Sequence, residues 1–461
     1  MAHKPRVGLS HSRSILMAPA IALGLILAPA TSAQPSTPAA PATQPAALPT
    51  DTRNLTIYEV NLRQATAEGT LDAFRTQHLD RLADMGVGVL WLMPIHPIGE
   101  VERKGALGSY YAATDYKAVN PEFGTQEDFR EFVDAAHARG MLVILDWVAN
   151  HTAWDHNWTR SHPQYYVRDR EGGFTPPNAD WSDVIELDFE APGMAGAMLD
   201  AMRYWVVEFD VDGYRCDVAN EVPTPFWRGA IPRLRRERTL FMLAEANDVG
   251  LHQAGFDATY GWGYFGPLLA IRSGRAGPEA LWAHLAREQA ALPRGAFRML
   301  MTSNHDENSW NETAVDRWGP FLDAATVLTF TLPGMPLIYN GQEVAITQQL
   351  EFFEKDPIDW GDDIAGHPAS RLYTELVQLK REHPALAHGP GAPPLIKTRT
   401  SAEQAVFAFR RMAGGREVRV AVNCTDEPTT FNFGRRTPEV TLNAFGWAMW
   451  VDGERWGQGK P

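Results

Sequence analysis

The sequence predicts an α/β fold, namely a (β/α)8 TIM barrel with an irregular insertion after its third strand and a small C-terminal antiparallel β-domain. First, short apolar runs alternate with amphipathic segments from residue 55 onward, which is typical of βα units around a parallel sheet. Second, polar residues that end candidate strands recur at multiples of about 31 residues, the length of one barrel unit. Third, the pattern changes after about residue 390 to alternating runs that turn through glycine.

The first elements follow from the periodicity of their apolar residues. "LTIYEVNLR" predicts a strand, and "TLDAFRTQHLDRLADMG" predicts a helix that ends at Gly86. "VGVLWLMP" is a continuous apolar run bounded by Gly and Pro, typical of a buried parallel strand. "EDFREFVDAAHARG" is a helix with four apolar side chains on one face, and "MLVILDWVANH" is the next strand. The four side chains are those of Phe129, Phe132, Val133 and Ala136.

The remaining strands are located by the polar residues at their ends. Candidate ends are Asp146, Asp217, Glu245, Asp306 and Asn340. Asp217 and Glu245 are about one barrel unit apart, and Glu245 and Asp306 are about two units apart. Asp306 and Asn340 are again about one unit apart. The interval from Asp146 to Asp217 exceeds one unit by about 40 residues. We therefore place these residues after strands 3, 4, 5, 7 and 8, with an insertion over residues 151–190.

The C-terminal region predicts one helix followed by β-structure. "HPASRLYTELVQLKREHPAL" is typical of the eighth barrel helix. "AVFAFRRMAGGREVRVAVNC" predicts a hairpin that turns through two glycines, and "EVTLNAFGWAMW" predicts another strand. We therefore divide the folded part into a barrel domain, residues 51–390, and a β-domain, residues 391–461.

The N-terminus is expected to lie outside the fold. Basic residues precede an apolar run and the small-residue stretch "ATSAQ", which predicts a signal peptide over residues 1–33, cleaved after Ala33. Residues 34–50 form a tether rich in Pro and Ala. Cys216 and Cys424 fall in separate predicted domains, so no disulfide is expected. Together these features indicate an exported bacterial protein, either periplasmic or extracellular.

The net charge of −14 argues against some partners. Nucleic acids and anionic membrane surfaces attract basic proteins, so neither is expected to bind this chain.

Several charged residues are predicted to meet at the C-terminal end of the barrel. This is the face at which TIM barrels build their active sites. Three carboxylates, Asp217, Glu245 and Asp306, would converge there with His151 and His305. Since clustered like charges destabilise a fold, a purely structural role does not explain the set.

Arg215 and Asp217 form a pair within one strand-like stretch, "DGYRCDVAN". Residues two apart in a strand point to the same face, so the guanidinium would lie beside the carboxylate. A neighbouring cation favours the ionised carboxylate. We therefore expect Arg215 to keep Asp217 as an anion.

Five motifs in this sequence resemble those of the α-amylase superfamily, glycoside hydrolase family 13. "DWVANH" (146–151), "GYRCDVANE" (213–221), "AEAN" (244–247) and "SNHDEN" (303–308) match its four signatures in order. "GSYYAATDY" (108–116) resembles the loop that carries its stacking tyrosine. The resemblance covers roughly residues 55–460 and implies a retaining glycosidase, with an insertion and a C-terminal β-domain like those predicted here.

The resemblance implies a role for each matching catalytic residue. Asp217 aligns with the nucleophile, Glu245 with the general acid/base and Asp306 with the acid that grips sugar hydroxyls. Retention requires a carboxylate and a protonated acid about 5–5.5 Å apart. Since the two acids must hold different protonation states, we expect Glu245 to be the one with a raised pKa.

The resemblance also implies substrate-binding residues and a metal ligand. Tyr111 aligns with the tyrosine beneath the sugar, Arg215 with the arginine that orients the nucleophile, and His151 and His305 with residues that hydrogen-bond that sugar. Asn150 matches a calcium-ligand position, although tying loops together is an equally open role. Typical starch-liquefying α-amylases place Lys-His where this chain has Asn220-Glu221, a pair more similar to the neopullulanase and cyclomaltodextrinase branch. The large N-terminal domain of that branch is not expected here, so a monomer is favoured.

These observations predict an exported hydrolase that cleaves α-1,4-glucosidic bonds in starch, maltodextrins or malto-oligosaccharides. An α-glucosidase, a cyclomaltodextrinase or neopullulanase, and a glucosyltransferase on the same scaffold are alternatives within the family. A sugar-binding protein without activity is the alternative from another class. The intact acidic set argues against it, because a binder needs neither a nucleophile nor an acid.

Overall fold

The structure is a computed structural model that describes residues 51–458. The predicted signal peptide and tether lie outside the described residues. No helix among residues 51–458 is long and apolar enough to cross a membrane.

Eight parallel strands close into a barrel, which confirms the predicted (β/α)8 fold. In chain order they are Ile57–Val60, Val89–Leu92, Leu142–Trp147, Gly213–Cys216, Phe241–Ala244, Ala258–Tyr260, Phe297–Leu300 and Met335–Tyr339. Alternate residues of each strand point in opposite directions. Ile57 and Leu337 pack inside the barrel, whereas Tyr58 and Ile338 pack under the surrounding helices. Both faces are therefore buried, which explains the continuous apolar runs in the sequence.

The helices begin and end at the signals expected from the sequence. The helix Leu71–Met85 begins after Thr70, whose side chain accepts a hydrogen bond from the backbone of Ala73, and it ends at Gly86 with φ 98°. Gln126–Ala138 begins with a capping box from Thr125 and buries the four predicted apolar residues. The other α-helices are Leu62–Ala65, Asn157–Ser161, Met194–Glu208, Thr224–Leu234, Gly250–Ala254, Phe265–Arg272, Pro278–Ala291, Ala314–Trp318, Leu322–Thr331 and Pro368–Glu382.

The chain between the third barrel strand and helix Met194–Glu208 forms the insertion. Strands His151–Ala153 and Val184–Glu186 pair antiparallel, and the helix Asn157–Ser161 and a 3-10 turn, Pro163–Tyr165, lie between them. This arrangement places the insertion beside the C-terminal end of the barrel strands.

The C-terminal part is a five-stranded antiparallel sheet with a separate two-stranded ribbon. The sheet contains Ile396–Lys397, Val406–Ala413, Arg416–Asn423, Trp447–Val451 and Glu454–Gln458, and the ribbon pairs Thr429–Phe431 with Val440–Leu442. The predicted hairpin turns through Gly414 and Gly415, both with positive φ. The predicted single strand "EVTLNAFGWAMW" is instead two strands in different sheets, because a turn at Asn443–Gly446 separates them.

Arg411 joins this sheet to the barrel domain. Its buried guanidinium donates hydrogen bonds to carbonyl oxygens of Thr331, Leu332, Leu386, Ala387 and Pro393. Some of these carbonyls end a helix or a 3-10 turn, where no partner within the helix is available. One side chain on the sheet therefore satisfies acceptors at several points of the barrel domain.

We expect Arg411→Ala to lower the free energy of unfolding by about 3 kcal/mol, because it leaves buried carbonyls without donors. Urea unfolding followed by circular dichroism measures this change. The control is Arg410→Ala, since the neighbouring Arg410 is 40% exposed and its ion pair with Glu417 lies at the surface. Equal losses in the two variants would contradict the role given to Arg411.

Candidate functional site

Arg215 lies at the centre of the charged cluster at the mouth of the barrel. It occupies the fourth strand and is completely buried. Its Nη1 atom is 2.8 Å and 3.1 Å from the two carboxylate oxygens of Asp146 and 3.1 Å from Oδ1 of Asp217. Its Nε atom donates to the hydroxyl of Tyr260 at 3.1 Å. Burial of this cation is therefore compensated mainly by acids.

Glu245 contacts the same guanidinium from the fifth strand. Its Oε1 lies 2.7 Å from Nη2 of Arg215, as an ion pair without a directed hydrogen bond. Its Oε2 accepts a hydrogen bond from the backbone N–H of Val218 at 2.8 Å. Val218 has φ 32°, which is unusual for a β-branched residue. This strained turn directly after Asp217 directs a backbone N–H at Glu245. Asp217 and Glu245 contact Nη1 and Nη2 of the same guanidinium, so Arg215 holds both carboxyl groups.

Opposing influences act on the pKa of Asp217. Burial and then the charge of Glu245 raise the pKa of Asp217 well above its usual range, although Arg215 acts in the opposite direction. Burial also raises the pKa of Glu245, as expected. Arg215 thus favours the ionised form of Asp217, as predicted, while burial and Glu245 oppose it. One guanidinium faces three buried acids, Asp146, Asp217 and Glu245.

His305 connects the cluster to Glu59, an acid at the end of the first strand. Its Nδ1 pairs with Glu59 Oε1, and its Nε2 lies 2.8 Å from the hydroxyl of Tyr111. Burial alone would lower the pKa of His305, but the charges of Asp306 and Glu59 raise it to about 9. A protonated His305 donates to Tyr111, whose hydroxyl in turn donates to Asp146 at 3.0 Å. A continuous chain of hydrogen bonds thus runs from Glu59 to the cluster.

Asp306 is the most accessible acid of the set. Its side chain is 41% exposed, against 10% for Asp217 and 9% for Glu245. It precedes a π-helical turn, Glu307–Asn311, and its Oδ2 lies 3.3 Å from Nε2 of His305. A ligand hydroxyl can therefore reach this carboxylate directly.

The predicted residues face a cavity of about 550 Å³. Its wall includes six of the predicted site residues: Tyr111, His151, Asp217, Glu245, His305 and Asp306. Burial lowers the pKa of His151 to about 3, so this ring is neutral and can accept or donate a hydrogen bond. Arg215 lies behind the acids. The structure thus brings together every predicted residue except Asn150, which does not line the cavity.

Asn150 contacts its neighbours through both its side chain and its backbone. Its side-chain nitrogen lies 3.3 Å from Nδ1 of His151, and its backbone oxygen accepts from Leu187. Calcium prefers six to eight oxygen ligands, several of them carboxylates. Within residues 51–458, no group of three or more His, Cys, Asp or Glu side chains could hold a metal. Calcium at Asn150 stays a prediction, and the hydrolysis proposed for this site uses no metal.

Sequence reasoning missed two residues of the site. Glu59 is buried in the first strand, and Lys104 lines the cavity from a loop. Glu59 lies in "LTIYEVNLR", which predicts a strand, and its signal is a single acid within that apolar run. Lys104 carried no motif at all.

The raised pKa of His305 predicts a pH-dependent stability. Unfolded histidine has a pKa near 6.5, and the folded value is about 9. The contribution of this proton is complete below pH 6.5 and is lost as pH rises through 9. We expect the unfolding free energy of Glu59→Gln to fall less than that of the wild type between pH 6.5 and 9, because the variant lacks the carboxylate that helps to raise the pKa of His305. Urea unfolding at several pH values measures it, with the exposed Glu439→Gln as control. The same pH slope in the Glu59 variant and the wild type would contradict the ion pair.

Comparison with known proteins agrees with this geometry. The family described as "Alpha amylase, catalytic domain" matches residues 56–239. The chain is 28% identical to α-amylase MalA of Haloarcula japonica, a match that covers 84% of this chain and 58% of that protein. The chain therefore spans just over half the length of this curated relative.

Two solved structures resemble the chain along nearly their whole length. The α-amylase from Lactobacillus plantarum is 30% identical with a TM-score of 0.76, covering 87% of this chain and 99% of that one. The noncanonic maltogenic α-amylase AmyB from Thermotoga neapolitana is 29% identical with a TM-score of 0.76, covering 87% and 97%. From its fold, its cluster of acids and these similarities, the chain belongs to the α-amylase family of glycoside hydrolases, family 13.

Proposed function

We propose that the protein is an exported, retaining hydrolase that cleaves α-1,4-glucosidic bonds in starch-like glucans or malto-oligosaccharides. The observation that carries this proposal is the pair of carboxyl groups, Asp217 and Glu245, held on one buried guanidinium at the wall of the cavity. A retaining glycosidase needs such a pair, one group as nucleophile and the other as acid.

In the first step, Glu245 donates its proton to the glycosidic oxygen while Asp217 attacks the anomeric carbon. The bond from that carbon to the leaving oxygen breaks, and an ester to Asp217 forms. Negative charge thereby moves from Asp217 to Glu245. Both groups face Arg215, so the guanidinium stabilises the anion before and after the step without moving.

In the second step, Glu245 accepts a proton from water as the water oxygen attacks the anomeric carbon. The ester breaks, Asp217 leaves as a carboxylate, and the sugar is released with its original configuration. The accessible Asp306 hydrogen-bonds sugar hydroxyls, while Tyr111 presents its ring to the cavity.

The alternatives within the family use the same acids. An α-glucosidase, a cyclomaltodextrinase or neopullulanase, and a glucosyltransferase differ in what binds beyond the cleaved bond. A product time course on maltoheptaose and soluble starch distinguishes them. Early intermediate oligosaccharides indicate an amylase, glucose alone indicates a glucosidase, and products longer than the substrate indicate transfer.

We expect Asp217→Asn and Glu245→Gln each to reduce kcat/KM on maltoheptaose by about 10³-fold or more, because each removes a group that reacts. Product release measured by chromatography tests this. The matched control is Asp426→Asn, which changes an exposed acid in the C-terminal part.

Three further results define the outcome. Proton NMR of the first products should show the α-anomer, as retention requires. If Asp217→Asn is as active as the wild type, Asp217 is not the nucleophile. No hydrolysis of any α-glucan by the wild type would leave the sugar-binding alternative.

We also propose that the chain is exported with removal of residues 1–33. The basic, apolar and small-residue regions of the N-terminus support this. Expression of the full chain in a bacterium should give a mature protein that begins at Gln34, as measured by N-terminal sequencing of the periplasmic and medium fractions. An intact N-terminus in the cytosolic fraction alone would contradict export.

A further inference from the structure

The loop of residues 99–108, here called the strap, links two sides of the cavity. It precedes Ser109 and Tyr111, which line the cavity wall. Arg103 holds the strap in shape, because its guanidinium donates to the backbone oxygens of Gly99 and Ile98. The strap is therefore a fixed part of the wall.

One side of the strap is attached to the insertion. Lys104 Nζ donates to the backbone oxygen of Asp180 at 2.6 Å and lies 2.9 Å from Oδ1 of Asp183. The Asp183 side chain is only 8% exposed, so this ion pair is shielded from water on one side. The backbone N–H of Glu100 also donates to Asp155 at 2.9 Å. Two independent contacts thus hold the strap against the insertion.

The other side is attached to the loop that follows the eighth barrel strand. The backbone N–H of Ala106 donates to Glu354 at 2.7 Å, and that of Leu107 donates to the backbone oxygen of Phe353 at 3.0 Å. Gly105, with φ 64°, approaches so closely that a Cβ there would lie 2.5 Å from Cβ of Phe353. Only glycine fits this contact without displacement. The strap therefore spans the full distance between the insertion and this loop.

The strap is tied to one part of the cavity wall by the residue that follows it. It leads directly into Tyr111, whose ring is parallel to that of Phe352 at a centroid distance of 6.1 Å. In the proposed function, Tyr111 lies against the sugar that Asp217 attacks, and Glu245 faces the leaving group. Because the strap is continuous with Tyr111, we assign it to the side of the attacked sugar, where the non-reducing part of the substrate binds.

We propose that the strap closes the end of the cavity that binds the non-reducing part of the substrate, so that the enzyme cleaves near chain ends and Lys104 determines this specificity. The inference rests on the proposed function. A glucan extending past the strap would have to displace the Lys104–Asp183 pair or the backbone bonds to Phe353. A chain whose non-reducing end stops beneath the strap needs neither change.

The first experiment uses the wild-type protein alone. It compares kcat/KM for a maltoheptaoside with a free non-reducing end and for the same compound with a bulky ethylidene group on that end. We expect the blocked substrate to react at least about tenfold more slowly, because the group meets the strap. Equal rates would overturn the proposal while leaving the hydrolase function intact. No reaction with either substrate would instead remove the function on which the proposal rests.

The second experiment opens the strap. Lys104→Ala and, from the opposite side, Asp183→Asn each break the ion pair, so both should reduce the ratio of free to blocked rates by about threefold or more. Lys397→Ala is the matched control, since it breaks the exposed pair between Lys397 of the C-terminal sheet and Glu279 of the helix Pro278–Ala291. A ratio unchanged in both strap variants would overturn the role of Lys104. Should one variant fail to fold, the other and the wild-type comparison decide.

Discussion

The whole site depends on the burial of one positive charge. Arg215 is removed from water at the mouth of the barrel, where an unpaired cation would be very costly. Asp146, Asp217 and Glu245 compensate it from three neighbouring strands. Removing any one partner would leave charge uncompensated in a buried site. The electrostatic requirement of the fold and the requirement of the proposed chemistry are therefore met by the same four side chains.

Much of the fold could be predicted because its signals are local. Helix Leu71–Met85 has both its Thr cap and its Gly stop in the sequence, and strand Val89–Leu92 lies in a continuous apolar run. The spacing of strand-end acids gave the correct strand numbers around the barrel. The division of "EVTLNAFGWAMW" between two sheets was missed, because pairing with distant strands decides it and periodicity alone does not.

The site was partly predictable for the same reason. Its acids end successive strands, and a barrel brings such positions together whatever lies between them. Glu59 and Lys104 had no such signal. Glu59 belongs to the site because it pairs with His305, which lies far along the chain. Lys104 belongs to it because the insertion folds back and brings Asp183 against it. The pKa of Asp217 also could not be inferred from its neighbour Arg215, since burial and Glu245 come from the tertiary structure.

The position of Arg411 has a consequence for the order in which the chain folds. During synthesis, the barrel segment leaves the ribosome before the strand Val406–Ala413 that carries this arginine. The carbonyls of Leu332 and Ala387 then have no donor from Arg411 until that strand docks. The C-terminal sheet therefore satisfies these acceptors of the barrel domain last, and a chain interrupted before Val406 would expose them to solvent or to other chains.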